Sequence, residues 1–148
     1  MSVQLPASDS AVRIKHIFNA PCEKVFHIWT TPEYVQEWLG GPDITMHIFE
    51  MNARESGRYR IVMYSKDGSP TLLSGTYLEV QRPEKLVYTW HMEAGEIKTG
   101  ETRVTVTFHD TSGSTEVEVL HEPFDDQEVR SLHAAGWMLY LNTISGML

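Results

Sequence analysis

The chain has 148 residues, the length of one domain and enough to bury a sizeable core without a disulfide or metal staple. Twelve Lys and Arg against twenty Asp and Glu leave a net charge of -8, which argues against the basic surface that nucleic acid or an acidic membrane leaflet requires. The one cysteine, Cys22, cannot form an internal disulfide and fits a reducing compartment.

Residues 1–11 are polar and read as a frayed tail, leaving residues 12–148 as one domain. Met1 to Ala11 lacks the basic and apolar regions of a signal peptide, and no apolar run approaches the ~20 residues of a membrane span. A cytoplasmic protein is expected. From Val12 to Phe18 the side chains alternate, with Val12, Ile14, His16 and Phe18 on one face, which predicts a strand. Pro21 opens a helix at its first position, carrying Val25, Ile28 and Trp29 on one stripe. Pro32 starts a second, shorter helix through Trp38 and Leu39, which Gly40-Gly41-Pro42 stops.

Strands then follow in series: Asp43 to Glu50, Gly57 to Ser65, Thr71 to Gln81, Lys85 to Met92, Glu101 to His109 and Thr115 to His121. Lys66-Asp67-Gly68-Ser69 is a hairpin turn, since Asp-Gly supplies the left-handed backbone of a tight reversal. The alternation of Val104, Val106 and Phe108 against Arg103, Thr105 and Thr107 predicts an antiparallel sheet wet on one face. Asp125 or Asp126 caps the last element. Its apolar residues Val129, Leu132, Gly136, Leu139 and Tyr140, continuing to Ile144 and Leu148, recur at helical spacing over about 20 residues, or ~30 Å.

The order strand, two short helices, six strands and long helix predicts an α+β fold with an antiparallel sheet of six or seven strands. A sheet of that size curls, and one helix ~10 Å wide leaves part of its concave face uncovered. A gap between helix and sheet, lined by apolar and aromatic groups, is the default ligand pocket.

No Gly-x-Gly-x-x-Gly, Walker loop, Gly-x-Ser-x-Gly or His-Glu-x-x-His motif occurs. The seven histidines, at 16, 27, 47, 91, 109, 121 and 133, are never paired at metal-site spacing. No metal, no cofactor and no defined catalytic residue is expected. From Val104 to Leu148 one base, Arg130, faces seven acids. That run is either a solvated acidic surface or a docking face for a basic partner.

The string Phe18-Asn19-Ala20-Pro21-Cys22-Glu23-Lys24-Val25-Phe26 resembles the opening of the SRPBCC (START/birch-pollen-allergen) superfamily. Trp29-Thr30-Thr31-Pro32-Glu33, Trp38, Gly57-Arg58-Tyr59-Arg60, Gly75-x-Tyr77-x-Glu79, Pro83 through Trp90, Thr115-Glu116 and His133-x-x-Gly136-Trp137 resemble its AHSA-type subfamily, homologues of the activator of the heat-shock protein 90 ATPase. The resemblance spans roughly residues 12 to 148. It implies a helix-grip fold, a curved antiparallel sheet around a long C-terminal helix and a cavity. The family's acid-x-Arg-x-Gly-Gly run reads Asn52-Ala53-Arg54-Glu55-Ser56-Gly57 here, with Asn52 for the acid and Ser56 for the first glycine.

Period-two arithmetic and helical spacing then nominate ligand-binding residues: Tyr59, Met63, Tyr77, Glu79, Trp90, His121, His133 and Trp137. Each has a plainer alternative. The aromatic residues and Met63 serve equally as core. His121 is either a ligand contact or base, or a core histidine with satisfied partners. An inward Glu79 needs a partner such as Arg54 or Arg103, or else orients a ligand. The expected function is binding of a small hydrophobic or aromatic molecule in the cavity. The resemblance carries two alternatives, a co-chaperone that stimulates a heat-shock protein 90 ATPase and a cavity-based lyase, cyclase or hydrolase. Exposed edge strands permit either a monomer or a homodimer.

Overall fold

The computed structural model describes residues 2–4, 10–93 and 99–148. Among these residues, eight strands and three helices follow in chain order: β1 Ser2–Gln4, β2 Val12–Phe18, α1 Cys22–Thr30, α2 Pro32–Trp38, β3 Thr45–Met51, β4 Arg58–Tyr64, β5 Pro70–Gln81, β6 Lys85–Glu93, β7 Thr102–Thr111, β8 Ser114–Glu122 and α3 Gln127–Met147. The strands form one antiparallel sheet in the order β1-β2-β8-β7-β6-β5-β4-β3. The first long strand therefore lies beside the last, and α1 and α2 carry the chain from β2 to the far edge at β3. This is the helix-grip arrangement, with α3 packed against β2 and α2.

Seven strands coincide with the expected ones to within a few residues. The eighth corrects the reading of the tail as frayed: Ser2–Gln4 pairs in register with His16 to Ile14. A strand edge is a row of unpaired backbone donors and acceptors, and a short polar segment can pair with it as well as an apolar one. Residue 1 and residues 5–9 of that tail lie outside the described residues.

Alternation sets the inner face as predicted. Val12, Ile14, His16 and Phe18 of β2 are buried, as are Thr102, Val104, Val106 and Phe108 of β7 and Thr115, Val117, Val119 and His121 of β8. Local chemistry shapes one hairpin turn and one helix start. Gly68 at φ 86° closes the β4–β5 hairpin, where the Asp67 carboxylate accepts hydrogen bonds from the Ser65 hydroxyl and from the Ser69 N–H at 2.9 Å. Asp126 caps α3, its carboxylate accepting from Glu128 N at 2.8 Å and Val129 N at 3.1 Å.

The buried face of α3 differs from the expected stripe. His133, Ala134, Trp137, Leu141 and Ile144 are buried, while Leu132 is 46% and Leu139 42% exposed. The helix carries two apolar stripes about one residue, or 100°, apart. The one holding Trp137, with the larger area to remove from water, turns inward. The other lines the edge of the helix–sheet cleft.

Candidate functional site

The concave face holds an aromatic interior. Trp29 of α1 stacks on Trp137 of α3 at 6.1 Å and 18°, and Trp90 of β6 meets Trp137 at 5.8 Å. Trp38 at the end of α2 touches Trp29 at 5.2 Å and Tyr140 at 6.0 Å. Tyr59, Tyr77 and Tyr88, from three adjacent strands, pack mutually at 5.6 to 5.9 Å. Burial pushes the hydroxyl pKa values of all three up, so they stay neutral.

Most of the polar atoms here are already engaged. Trp29 Nε1 donates to the Tyr88 hydroxyl at 3.3 Å, and Trp38 Nε1 to the Ile28 carbonyl at 3.2 Å. Trp137 Nε1 donates to His121 Nδ1 at 3.0 Å. An indole nitrogen only donates, so His121 carries its proton on Nε2. That N–H donates to Thr102 Oγ1 at 2.8 Å, and the Thr102 hydroxyl in turn donates to the Trp90 carbonyl at 2.8 Å. His121 is thus fully satisfied, and burial holds its pKa well below the usual histidine value, with His133 as a second cause. On α3, His133 Nδ1 bonds the Val129 carbonyl at 2.9 Å, and burial lowers its pKa.

Two nitrogens stand apart. Among the described residues, Trp90 Nε1 and His133 Nε2 are buried side-chain atoms with no hydrogen-bond partner. Both residues line a cleft of about 70 Å³ between β6 and α3, with Met92, Leu132, Gly136 and Tyr140. A second gap of about 30 Å³ lies on the α1–α2 side, bounded by Trp29, Trp38, Met51, Tyr59, Tyr77 and Trp90 among others. That is room for about one water. Trp90 forms part of the wall of both spaces.

Seven of the eight nominated residues face this interior. Tyr59 lies across Gly75, which faces it on β5, and donates its hydroxyl to the Thr89 carbonyl. A Cβ at Gly75 would stand 2.0 Å from Thr89 O and 2.6 Å from the Tyr59 ring, so only glycine admits that crossing. Met63, Tyr77, Trp90, His121, His133 and Trp137 are buried. Glu79 is the correction. The β5–β6 register slips between Tyr77 and Glu79, so Leu78 and Glu79 both fall on the outer side and Val80 turns in. The Glu79 side chain is 42% exposed and pairs with Lys85 at 3.2 Å, a neighbour other than Arg54 or Arg103.

Sequence reasoning did not place Trp29 and Trp38 in the site, although both are aromatic residues on the short helices. Thr102 was also missed, because a threonine at a strand start carries no signal of a relay to histidine. On the opposite face of the sheet a trough of about 600 Å³ is lined by Glu50, Arg58, Arg60, His91 and Glu101 with small polar residues. Its charges are mixed and the Arg58 side chain is 74% exposed, so it resembles solvated surface rather than a built site. Among the described residues no group of three His, Cys, Asp or Glu could hold a metal ion. No helix there is long and apolar enough to cross a membrane.

The family described as Activator of Hsp90 ATPase homolog 1-like protein matches residues 19–148, and the chain belongs to that family. Among solved structures, a protein from Chromobacterium violaceum superposes with a TM-score of 0.87 at 21% identity, over 95% of this chain and 97% of that one. A Rhodobacter sphaeroides protein gives 0.84 at 20% identity, over 99% and 97%. The AHSA1 protein of Silicibacter pomeroyi gives 0.80 at 18% identity, over 93% and 96%. At these identities the agreement concerns the helix-grip fold. No curated protein matches the chain.

Proposed function

We propose that this member of the Hsp90-activator homologue family binds a small, uncharged hydrophobic molecule between the sheet and α3. The observation that carries the reading is the unfinished packing around Trp90, which borders both a gap and a cleft inside a wall of aromatic rings. The buried polar side chains of the described residues are three histidines and two threonines, so the interior presents no fixed charge and suits a neutral occupant.

The two spaces are smaller than the molecule they would serve, and their walls include groups able to give way. Met51 borders the gap and Met92 the cleft, and methionine is the most adaptable of apolar side chains. A ligand burying roughly 400 Å² gains about 10 kcal/mol. Association returns at least ~4 kcal/mol of that, which leaves a Kd on the order of tens of micromolar before the cost of opening the walls.

The test is native mass spectrometry of protein purified without detergent, followed by denaturing extraction and identification of the released compound. A stoichiometric neutral adduct that is lost on Trp90→Ala supports the reading. A bare mass, together with no binding of a panel of neutral aromatic and aliphatic probes, overturns it.

A second reading is favoured by a specific feature. The matched family is described by its homology to an activator of the Hsp90 ATPase. A groove of about 530 Å³ beside the start of α3 gathers Glu101, Asp125 and Asp126, a surface suited to a basic partner. The ATPase rate of purified heat-shock protein 90 with and without this protein decides it. Stimulation that disappears in an Asp125→Asn, Asp126→Asn variant supports a co-chaperone role.

A further inference from the structure

We propose that the cleft between β6 and α3 recognises a hydroxyl group on its hydrophobic occupant, with Trp90 Nε1–H donating to the hydroxyl oxygen and His133 Nε2 accepting the hydroxyl proton. The inference rests on the binding function above and names the chemistry of the bound molecule.

Like groups in this interior differ in how they are paired. Trp29, Trp38 and Trp137 each hand their indole N–H to an acceptor inside the protein. Among the described residues Trp90 does not, although it is only 3% exposed. His121 uses both ring nitrogens. His133, 8% exposed, uses one. Buried polar groups are nearly always paired, and each exception calls for a partner. Here two exceptions share one cleft, their rings meeting edge to face with centroids 5.9 Å apart.

The protonation pattern fixes what that partner is. A carbonyl oxygen accepts and cannot donate, so the His133 bond at 2.9 Å to the Val129 carbonyl requires the proton on Nδ1. Nε2 is then a bare lone pair, and burial keeps the ring neutral. Trp90 and His133, which both line the cleft, therefore hold one donor and one acceptor in reserve. A ketone or ether would satisfy Trp90 and leave His133 unpaired. A carboxylate would set its charge against the Nε2 lone pair. An ammonium would satisfy His133 and repel the indole N–H. A hydroxyl donates once and accepts as well, and so completes both. Leu132, Met92 and the bare surface of Gly136 offer apolar contact to the carbon beside it. A cleft of about 70 Å³ takes the hydroxyl end, and the body of the ligand has to spread into the space that opens around Trp90.

The test compares 2-naphthol with 2-methylnaphthalene, which match in shape and differ in the hydroxyl. Binding is followed by calorimetry and by the indole N–H resonances of the 15N-labelled protein, the Trp90 signal being assigned by Trp90→Phe. The expected result is about tenfold or greater preference for 2-naphthol and a downfield shift of the Trp90 indole proton. His133→Phe is expected to reduce that preference severalfold, leaving only what the Trp90 N–H contributes, while 2-methylnaphthalene still binds. If His133→Phe does not fold, Trp90→Phe, which removes the donor and keeps a ring, tests the same preference. Equal affinity for the two probes overturns the hydroxyl inference and leaves the binding function standing. Binding of neither overturns both. If 2-naphthol binds without moving the Trp90 signal, and that signal exchanges magnetisation with an internal water, the pair is served by water and the inference falls.

Discussion

The indole N–H of Trp137 donates to His121 Nδ1 at 3.0 Å, and this one bond ties the middle of α3 to the inner face of β8. It also sets the direction of every bond beyond it. His121 Nε2 must donate to Thr102 on β7, and Thr102 must donate to the carbonyl of Trp90 on β6. Four elements are thereby joined through neutral groups. Thr102→Val keeps the shape, leaves the His121 N–H without its acceptor and removes one of the hydrogen bonds to the Trp90 carbonyl, which still faces β7 in the ladder. The orphaned buried N–H costs about 1–3 kcal/mol, and urea denaturation is expected to show a loss of that size. Thr102→Ser, which restores the hydroxyl, is expected to recover most of it.

The same interior predicts the response to acid. Burial lowers the pKa of His16 to about 4 and depresses those of His121 and His133. Around His121 stand Trp90, Thr102, Phe124, His133 and Trp137, none of them an acid that would welcome a proton. The unfolded chain, with its histidines at 6.5, therefore takes up protons first. Their stabilising contribution is complete above about pH 6.5 and is lost as the pH falls, the His16 share until about pH 4. Each such histidine adds up to about 1.4 kcal/mol per pH unit to the slope. Urea midpoints between pH 7.5 and pH 5 are expected to fall, and His133→Phe to flatten the fall by one proton's worth.

The turn between β3 and β4 carries a strained residue. Ser56 has φ 66°, in the left-handed region that favours glycine, and it occupies the place where the resemblance to the family's pattern expects glycine. Its N–H is held by the Tyr77 carbonyl at 2.8 Å, so the conformation is imposed by β5. Ser56→Gly is expected to raise stability by about 0.5–1 kcal/mol, the relief of the left-handed penalty less the added freedom of the unfolded chain. The neighbouring Gly57 has no such latitude. A Cβ there would lie 2.0 Å from Asn52 O, so Gly57→Ala is expected to lower the thermal midpoint sharply.

The layout was legible in the sequence because strand alternation is a local property. Val104, Val106 and Phe108 announce their face without reference to anything else. Sites built by register slips or by long-range hydrogen bonds leave no such trace. Glu79 sits two residues after Tyr77, and strict alternation sends both inward. The slip between them is decided by how β5 meets β6. The same holds for α3. Its composition shows that it is apolar, but the choice between the Leu132 stripe and the Trp137 stripe depends on what the sheet presents. His121 was visible as an inward histidine, whereas its role as a satisfied relay depends on Thr102 and Trp137, nineteen and sixteen residues away in sequence.

The crossing of Tyr59 over Gly75 gives the sharpest test of how the aromatic wall is held. Strand β5 runs between Tyr59 on β4 and Thr89 on β6, and the phenol spans it to reach the Thr89 carbonyl. The Thr89 hydroxyl meanwhile accepts from Thr76 N at 2.8 Å, so side chains from two strands bond backbone groups of their neighbours here. Gly75→Ala would drive a methyl into the Thr89 carbonyl and the Tyr59 ring at once. Because the clash involves backbone on one side, rotation of the tyrosine alone cannot relieve it. The expected outcome is a loss of about 3 kcal/mol or more, or failure to fold. Tyr59→Phe separates the two contributions. It keeps the ring over Gly75 and removes only the hydroxyl, for an expected cost of about 1–2 kcal/mol. A Gly75→Ala protein as stable as wild type in urea would show that the ring does not cross the glycine, and the wall would have to be redrawn.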